Sequence, residues 1–340
     1  MKAFVFERTG DPNEVLVVRE LPEPKPGPGE ILVRVRLSPV HPSDLHIMRG
    51  RFGRQPTLPA SPGIECVGVV EALGARVAGP APGTRVVLLN VWGSWRELIV
   101  SPAERVIPVP GDLADEDAAQ ALVNPVTAWV MTMVEHDLKP ADWLVQTAAG
   151  STVGQLVLQL ARSERFRTVN IVRRRAQVSE IKALGGDVVI TSEDNDWGTQ
   201  LATASEGKAV SRGIDCVAGR TGATVARHLA PGGRLLVYGA LSSHRQTDPS
   251  AFEMPLFVPR LIYGAAVVQG WYLLHWFEVR PLAECRAICA TVLDRLASGA
   301  LCLPPAKRHR PKNITGALRD ADGALRERKP LLDLSSWATD

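Results

Sequence analysis

The spacing of hydrophobic positions changes character near residue 118. Before it, short β-type runs (AFVF, EVLVV, ILVRVRL, CVGVVEAL, RVVLLN and ELIV) are separated by connections dense in Pro and Gly, such as LPEPKPGPGE and GPAPGTRVV. Proline removes a ladder donor and restricts the residue before it, so each connection ends one strand before the next begins. A compact, barrel-like β domain is predicted. From Ala118, AAQALVNPVTAWVMTMVEHDL takes helical spacing on either side of Asn124-Pro125. The chain then alternates: strand 144–147, helix 153–160, strand 168–172, helix through IKALGG, strand DVVI, helix near Gln200, strand GIDCVA, helix TGATVARHLA and strand RLLVYGA. Repeated β-α units with right-handed crossovers predict an α/β fold, a doubly wound parallel sheet with its ligand crevice at the carboxyl ends of the strands. After VVQGWYLLHW come a helical stretch, LAECRAICATVLDRLASG, and a short run, KPLLDL, expected to return to the first domain. The predicted domains are 1–122 with 271–340, and 123–270.

Between strand 144–147 and helix 153–160 lies Ala-Ala-Gly-Ser-Thr-Val-Gly. So short a strand-to-helix loop leaves the first helical N–H groups unpaired, and with the helix dipole they favour a bound pyrophosphate. Gly150 and Gly154 allow tight turning and close packing. Thr152 stands where the G-x-G-x-x-G fingerprint has its middle glycine, so the turn by itself is a weak signal. The next strand carries more information. It ends in Arg173, Arg174 and Arg175, about twenty residues past the glycine turn, where an acidic residue would read a ribose 2′-hydroxyl. Guanidinium groups there suit a 2′-phosphate, which favours NADPH over NADH.

Composition narrows the classes. The 340 residues accommodate about two domains. Lys and Arg total 39 against 36 Asp and Glu, and a net charge of +3 points to neither a nucleic-acid nor a membrane partner. The basic cluster KRHRPK at 307–312 has no interleaved aromatic residue and reads as solvated surface. MKAFVFERTG alternates like a first strand rather than a targeting peptide, and no apolar run approaches the roughly 18 residues of a membrane span. A cytoplasmic protein is expected. The five cysteines are scattered and odd in number, which argues against a disulfide framework; Cys285 and Cys289 share a helix face as small buried hydrophobes.

The motifs HPSDLHIMRGRFG, VNPVTAW, AAGSTVG, VNIVRRR, DCVAG, LLVYGALS and QGWYLLHW span nearly the whole chain. Together they resemble the medium-chain dehydrogenase/reductase superfamily, and within it the zinc-independent branch of mitochondrial-type 2-enoyl thioester reductases and quinone oxidoreductases. The resemblance implies a Rossmann nucleotide-binding domain beside a GroES-like catalytic domain, and a homodimer. It also implies NADPH contacts at Asn124, Thr127, Gly150, Ser151, Thr152, Val153, Arg173, Arg174, Arg175, Tyr238, Gly239, Ala240, Leu241, Trp271, Tyr272, Leu273 and Lys329. Tyr272 stands where the reductases commonly carry Trp. Zinc-dependent relatives place a Cys and a His where this chain has His41 and Ile64, and the four-cysteine lobe is missing, so no metal is expected.

Phe52 departs from the resembled reductases, which carry a Tyr there to help protonate the enolate. Phe has no proton to donate. His41 and Tyr272 are the candidate replacements, with Phe52, Trp92, Trp95 and Trp276 as candidate pocket walls. Three readings stay open: NADPH-dependent reduction of an activated C=C bond in a 2-enone, quinone or 2-enoyl thioester; zinc-free ketone or alcohol oxidoreduction using His41; and nucleotide binding with little catalysis.

Overall fold

A computed structural model describes residues 1–51, 53–244, 246, 248–323 and 328–338. The chain divides into Met1–Val123 with Arg280–Asp340, and Asn124–Val279. The first unit opens with β1 (Lys2–Phe6), β2 (Leu16–Glu20), β3 (Glu30–Pro39), β4 (Val67–Leu73), β5 (Arg85–Leu88), β6 (Leu98–Pro102) and β7 (Val106–Pro108). The second holds β8 (Trp143–Thr147), β9 (Arg167–Val172), β10 (Val188–Thr191), β11 (Arg212–Asp215), β12 (Arg234–Val237) and β13 (Val267–Gly270). The chain then returns to the first unit as β14 (Ala306–His309) and β15 (Lys329–Asp333).

In the first unit β3 is the organising strand. Its residues alternate, with Val33, Val35 and Leu37 buried and Arg34 and Arg36 exposed, as a half-buried strand requires. One edge pairs with β4; the other is divided between β6 at its start and β15 at its end. The antiparallel register sets Leu331 against Pro39 and Leu332 against Ser38, so two residues further on Lys329 falls opposite His41. A carbonyl of Pro330 accepting the Val40 N–H at 3.0 Å continues this pairing.

The second unit is a parallel sheet in the order β10-β9-β8-β11-β12-β13, so the order reverses between β8 and β11. This is the doubly wound arrangement, whose crevice opens at that switch point. Val145, Val169, Ile171, Ile190, Leu229 and Leu235 form the core on the sheet. The helix Thr152–Glu164 buries Leu156, Val157 and Leu160 along one face.

Some elements differ from the sequence pattern. EVLVV divides into a one-turn helix, Pro12–Val15, capped by Asp11, and β2. The helical stretch after Asn124 runs as an α-helix to Trp129 and then widens to a π-helix over Val130–Glu135. Residues 271–279, expected with the first domain, pack within the second: Trp276 donates its indole N–H to Glu135 at 3.1 Å, and Arg234 pairs with the same carboxylate at 2.9 Å. KRHRPK is more than a solvated run. It contributes β14, with Lys307 bonded to Asp320 and Arg308 to Glu116, while His309 is buried. No helix among the described residues is long and apolar enough to cross a membrane.

Candidate functional site

In the second unit the carboxyl ends of β8 and β11 are tied together at the switch point. Asp215 is buried and accepts hydrogen bonds from Thr147 Oγ1 (2.5 Å) and from the N–H groups of Val217 (2.9 Å) and Ala218 (3.0 Å). Burial raises its carboxyl above the ordinary range, and these donors oppose the rise. A Cβ at Gly222 would lie 2.0 Å from Asp215 Oδ2, so only glycine fits there. Cys216 N–H donates to Thr147 Oγ1 at 3.1 Å, completing the clamp.

The glycine turn follows directly. Gly154 brings the helix so close to the end of β8 that a Cβ would lie 2.4 Å from the Ala149 carbonyl oxygen. Ser151 is the N-cap, its hydroxyl accepting the Gly154 N–H at 3.1 Å. Thr152 opens the helix beyond this cap, so a side chain at that position leaves the turn and its N-terminal N–H groups in place. Gly150 abuts the start of the next β-α connection, since its Cβ would stand 3.2 Å from Gln177 Nε2.

At the end of β9, Arg173 is exposed and Arg174 half-buried, its N–H donating to Gln177 Oε1 at 3.2 Å. Arg175 does not join them: its guanidinium is paired with Asp194 and its N–H with Glu193. The triplet therefore presents two available guanidinium groups rather than three.

The loop after β12 is laced to β11. Tyr238 N–H donates to the Asp215 carbonyl at 2.8 Å and Leu241 N–H to that of Cys216 at 2.9 Å, while a Cβ at Gly239 would lie 3.1 Å from the same Cys216 oxygen. The Tyr238 hydroxyl is pushed well above the ordinary phenol range by burial and by Cys216 and Asp215, and it bonds to Cys216 and Ser151. This joins the loop 238–241 to the glycine turn. Ala240 is exposed there. After β13, Trp271 N–H donates to Val237 at 2.8 Å, and its buried indole N–H has no partner among the described residues. Leu273 is buried and Tyr272 exposed at 37%. Asn124 and the buried Thr127 stand on the helix Asn124–Trp129, which packs on Thr152–Glu164.

The first unit contains a second polar centre, largely buried, with His41 3% and Lys329 6% exposed. His41 caps the helix Pro42–Met48, and its N–H donates to Asp44 Oδ2 at 2.7 Å. Its Nε2 lies 2.7 Å from Glu65 Oε2, and Lys329 Nζ lies 2.9 Å from its Nδ1. An ammonium at Lys329 can only donate, which makes Nδ1 the acceptor and Nε2–H the donor to Glu65. Glu65 Oε1 accepts the N–H groups of Leu122 (2.6 Å) and Val123 (2.8 Å). All four side chains are buried. Burial pushes the Asp44 carboxyl up to about 7 and that of Glu65 up to about 8, against the pull of Lys329 and the backbone donors. Both ring nitrogens of His41 are thus engaged, one with Glu65 and the other with Lys329.

The expected pocket walls separate. Trp95 is in the core, 0% exposed, its ring edge-on to Phe4 and its N–H aimed at the Pro39 carbonyl (3.3 Å); an indole this enclosed packs the barrel rather than lining a pocket. Trp276 is equally committed through Glu135, in the second unit. Trp92 is half-buried, with Arg54 over its ring. Phe52 lies outside the described residues. At the two positions where zinc-dependent relatives were expected to place ligands, His41 has both ring nitrogens hydrogen-bonded and Ile64 has no donor atom. Among the described residues no three His, Cys, Asp or Glu side chains group to hold an ion. Glu65, Asp44 and Asp215 are not among the site residues expected from the sequence. Glu65 and Asp215 sit in the apolar runs GIECVGVV and GIDCVA, where a lone carboxylate is itself a signal.

The alcohol dehydrogenase GroES-like domain profile matches residues 27–111, and the zinc-binding dehydrogenase profile matches 152–285. The mitochondrial enoyl-[acyl-carrier-protein] reductase of Mus musculus is 31% identical over 309 residues, covering 89% of this chain and 81% of that protein. That of Xenopus tropicalis is 30% identical over 339 residues, covering 97% and 95%. A Bacillus thuringiensis crystal structure, assigned as an NADPH:quinone reductase, superposes with a TM-score of 0.89 at 26% identity and covers 98% of each chain. The Etr1p/NADP/crotonyl-CoA complex gives 0.82 at 23% identity, covering 98% of this chain and 99% of that one, a likeness of fold. The chain belongs to the medium-chain dehydrogenase/reductase superfamily, in its enoyl and quinone reductase branch of oxidoreductases.

Proposed function

We propose that the protein is a zinc-independent, NADPH-dependent reductase of activated C=C bonds in 2-enones, quinones or 2-enoyl thioesters. The observation that carries this reading is the end of β9, where Arg173 is exposed and Arg174 half-buried, suited to a 2′-phosphate, beside a capped glycine turn suited to the pyrophosphate. NADPH, when bound, supplies hydride for the electrophilic β-carbon. The enolate formed by hydride addition needs hydrogen-bond donors and a proton. Lys329 is our choice for the proton-bearing group, with His41 and Glu65 holding its orientation. The relatives support the reaction class, since the curated ones are enoyl-[acyl-carrier-protein] reductases and the Bacillus thuringiensis protein bears a quinone reductase name. NADPH consumption is measured with graded sets of enones, quinones and enoyl thioesters; inactivity across all three sinks the proposal, as does loss of activity on zinc chelation.

A homodimer formed through β13 is also proposed. This edge strand carries Val267 outward, and Ile262 and Tyr263 nearby are 64% and 85% exposed. Sedimentation of Tyr263→Glu as a dimer indistinguishable from the parent would exclude this face.

A further inference from the structure

We propose, resting on the NADPH reading above, that Glu135 is a positioning residue of the second unit: it holds residues 271–273 at the nicotinamide end of the crevice without touching the cofactor itself. The sheet order gives the direction. In a doubly wound sheet each half takes one nucleotide, and here the halves meet between β8 and β11. Arg173 and Arg174 at the end of β9 mark the adenosine half, so the nicotinamide half lies over the ends of β11, β12 and β13. Residues 271–273 leave β13 at that end, where Trp271 N–H donates to the carbonyl of Val237, the last residue of β12, at 2.8 Å.

From there the chain enters the helix Leu273–Val279, and Glu135 ties that helix down. Its Oε1 accepts the Trp276 indole N–H at 3.1 Å, its Oε2 accepts Arg234 Nη2 at 2.9 Å, and its own carbonyl accepts Arg234 Nη1 at 2.7 Å. Arg234 reaches on to β13, donating from Nε and Nη2 to Gln269 Oε1 at 3.1 and 2.9 Å. Among the described residues this is the most enclosed ion pair of the unit, with side chains 29% and 13% exposed for Arg234 and Glu135. Hydrogen bonds to a carboxylate so far removed from water are strong and directional.

The π-helix Val130–Glu135 delivers the carboxylate. Its widened turn closes with His136 N–H donating to the Met131 carbonyl at 3.1 Å, while Thr132 Oγ1 donates to the Ala128 carbonyl at 2.7 Å. Such turns are rare and recur at functional sites. Here two consecutive residues meet the sheet, Glu135 at β12 and His136 at β11, with His136 Nε2 3.0 Å from the Gly213 carbonyl. Burial pushes the His136 imidazole down to about 4, so the neutral ring gives its Nε2–H to that carbonyl. The π-helix continues the helix Asn124–Trp129, which packs on Thr152–Glu164 behind the glycine turn. One carboxylate thus joins the elements behind the pyrophosphate turn to the segment at the nicotinamide end.

The test uses the full chain. NADPH and adenosine 2′,5′-bisphosphate, which keeps the adenosine half and its 2′-phosphate but has no nicotinamide, are titrated by calorimetry into wild type, Glu135→Leu and Trp276→Phe. Trp276→Phe removes the N–H to Glu135 and keeps an aromatic ring, and thermal unfolding shows that each variant is folded. NADPH should weaken about fivefold or more in both variants while the bisphosphate changes by less than about twofold. A merely structural role would move both ligands alike or neither. Equal weakening of the two, or unchanged NADPH affinity in either folded variant, overturns the proposal; if Glu135→Leu does not fold, Trp276→Phe decides. Failure of wild type to bind NADPH is a separate result, and it sinks the cofactor reading and this proposal together. With an activated alkene that wild type reduces, kcat at saturating NADPH should fall about tenfold or more while KM for the alkene stays within about threefold, because a misplaced nicotinamide costs rate rather than substrate binding. An unchanged kcat overturns the positioning role. Absence of turnover in wild type counts against the reductase reading and leaves the titrations to decide Glu135.

Discussion

Replacing Arg173 and Arg174 together with Ala tests the cofactor assignment most directly. Only these two guanidinium groups enter the sum, since Arg175 is already neutralised by Asp194. A hydrogen bond to a charged group contributes about 1.5–3 kcal/mol, and exposure of Arg173 discounts its share toward about 1 kcal/mol. The pair should therefore contribute about 2.5–4 kcal/mol to NADPH binding, or roughly 70- to 900-fold in Kd. NADH has no 2′-phosphate, and its Kd should change by less than about threefold. Fluorescence titration of both nucleotides at fixed ionic strength measures the difference, because surface charges are screened by salt. Equal weakening of the two would refute the reasoning, showing the arginines to support the loop rather than the phosphate. Asp194→Ala supplies the opposite sign: releasing Arg175 should tighten NADPH and leave NADH alone.

Lys329→Met should destabilise in a pH-dependent way. Burial raises Asp44 and Glu65 to about 7 and 8, so the folded chain retains protons that the unfolded chain releases near pH 4; the stability this contributes is complete below about pH 4 and is lost as pH rises through 7 to 8. Lys329 offsets the ionised carboxylates, so its removal should cost little at pH 6 and about 3–5 kcal/mol at pH 9 by urea unfolding; a cost independent of pH contradicts this. Trp95→Ala should lose about 3–5 kcal/mol as a core truncation, while Trp92→Ala stays within about 1 kcal/mol, and similar losses would return Trp95 to the pocket wall. Gly154→Ala forces a Cβ against the Ala149 oxygen and should lower stability by about 1–3 kcal/mol together with NADPH affinity, read by thermal unfolding and titration; unaltered binding would separate this glycine from the cofactor turn.

Both units were legible from periodicity, because a strand face and a helix face write their burial directly into residue spacing. The alternation in ILVRVRL and the helical spacing after Gly150 appear as β3 and the helix Thr152–Glu164. The arginines at the end of β9 were legible for a similar reason, their position following from chain distance along one β-α unit. Their availability was not, since Asp194 stands nineteen residues from Arg175 and reaches it only through the pairing of β9 with β10. Residues 271–279 could not be assigned from pattern either, because their partner Glu135 is far away in the chain.

The two architectures, the strand-turn-helix of the nucleotide unit and the basic end of its second strand follow from residue order, because all of them depend on neighbours along the chain. Tertiary structure alone decided that His41 is clasped between Glu65 and Lys329, 24 and 288 residues away. The physical reason is register: Leu331 opposite Pro39 carries Lys329 to His41, and a contact between distant strands leaves no periodicity in either.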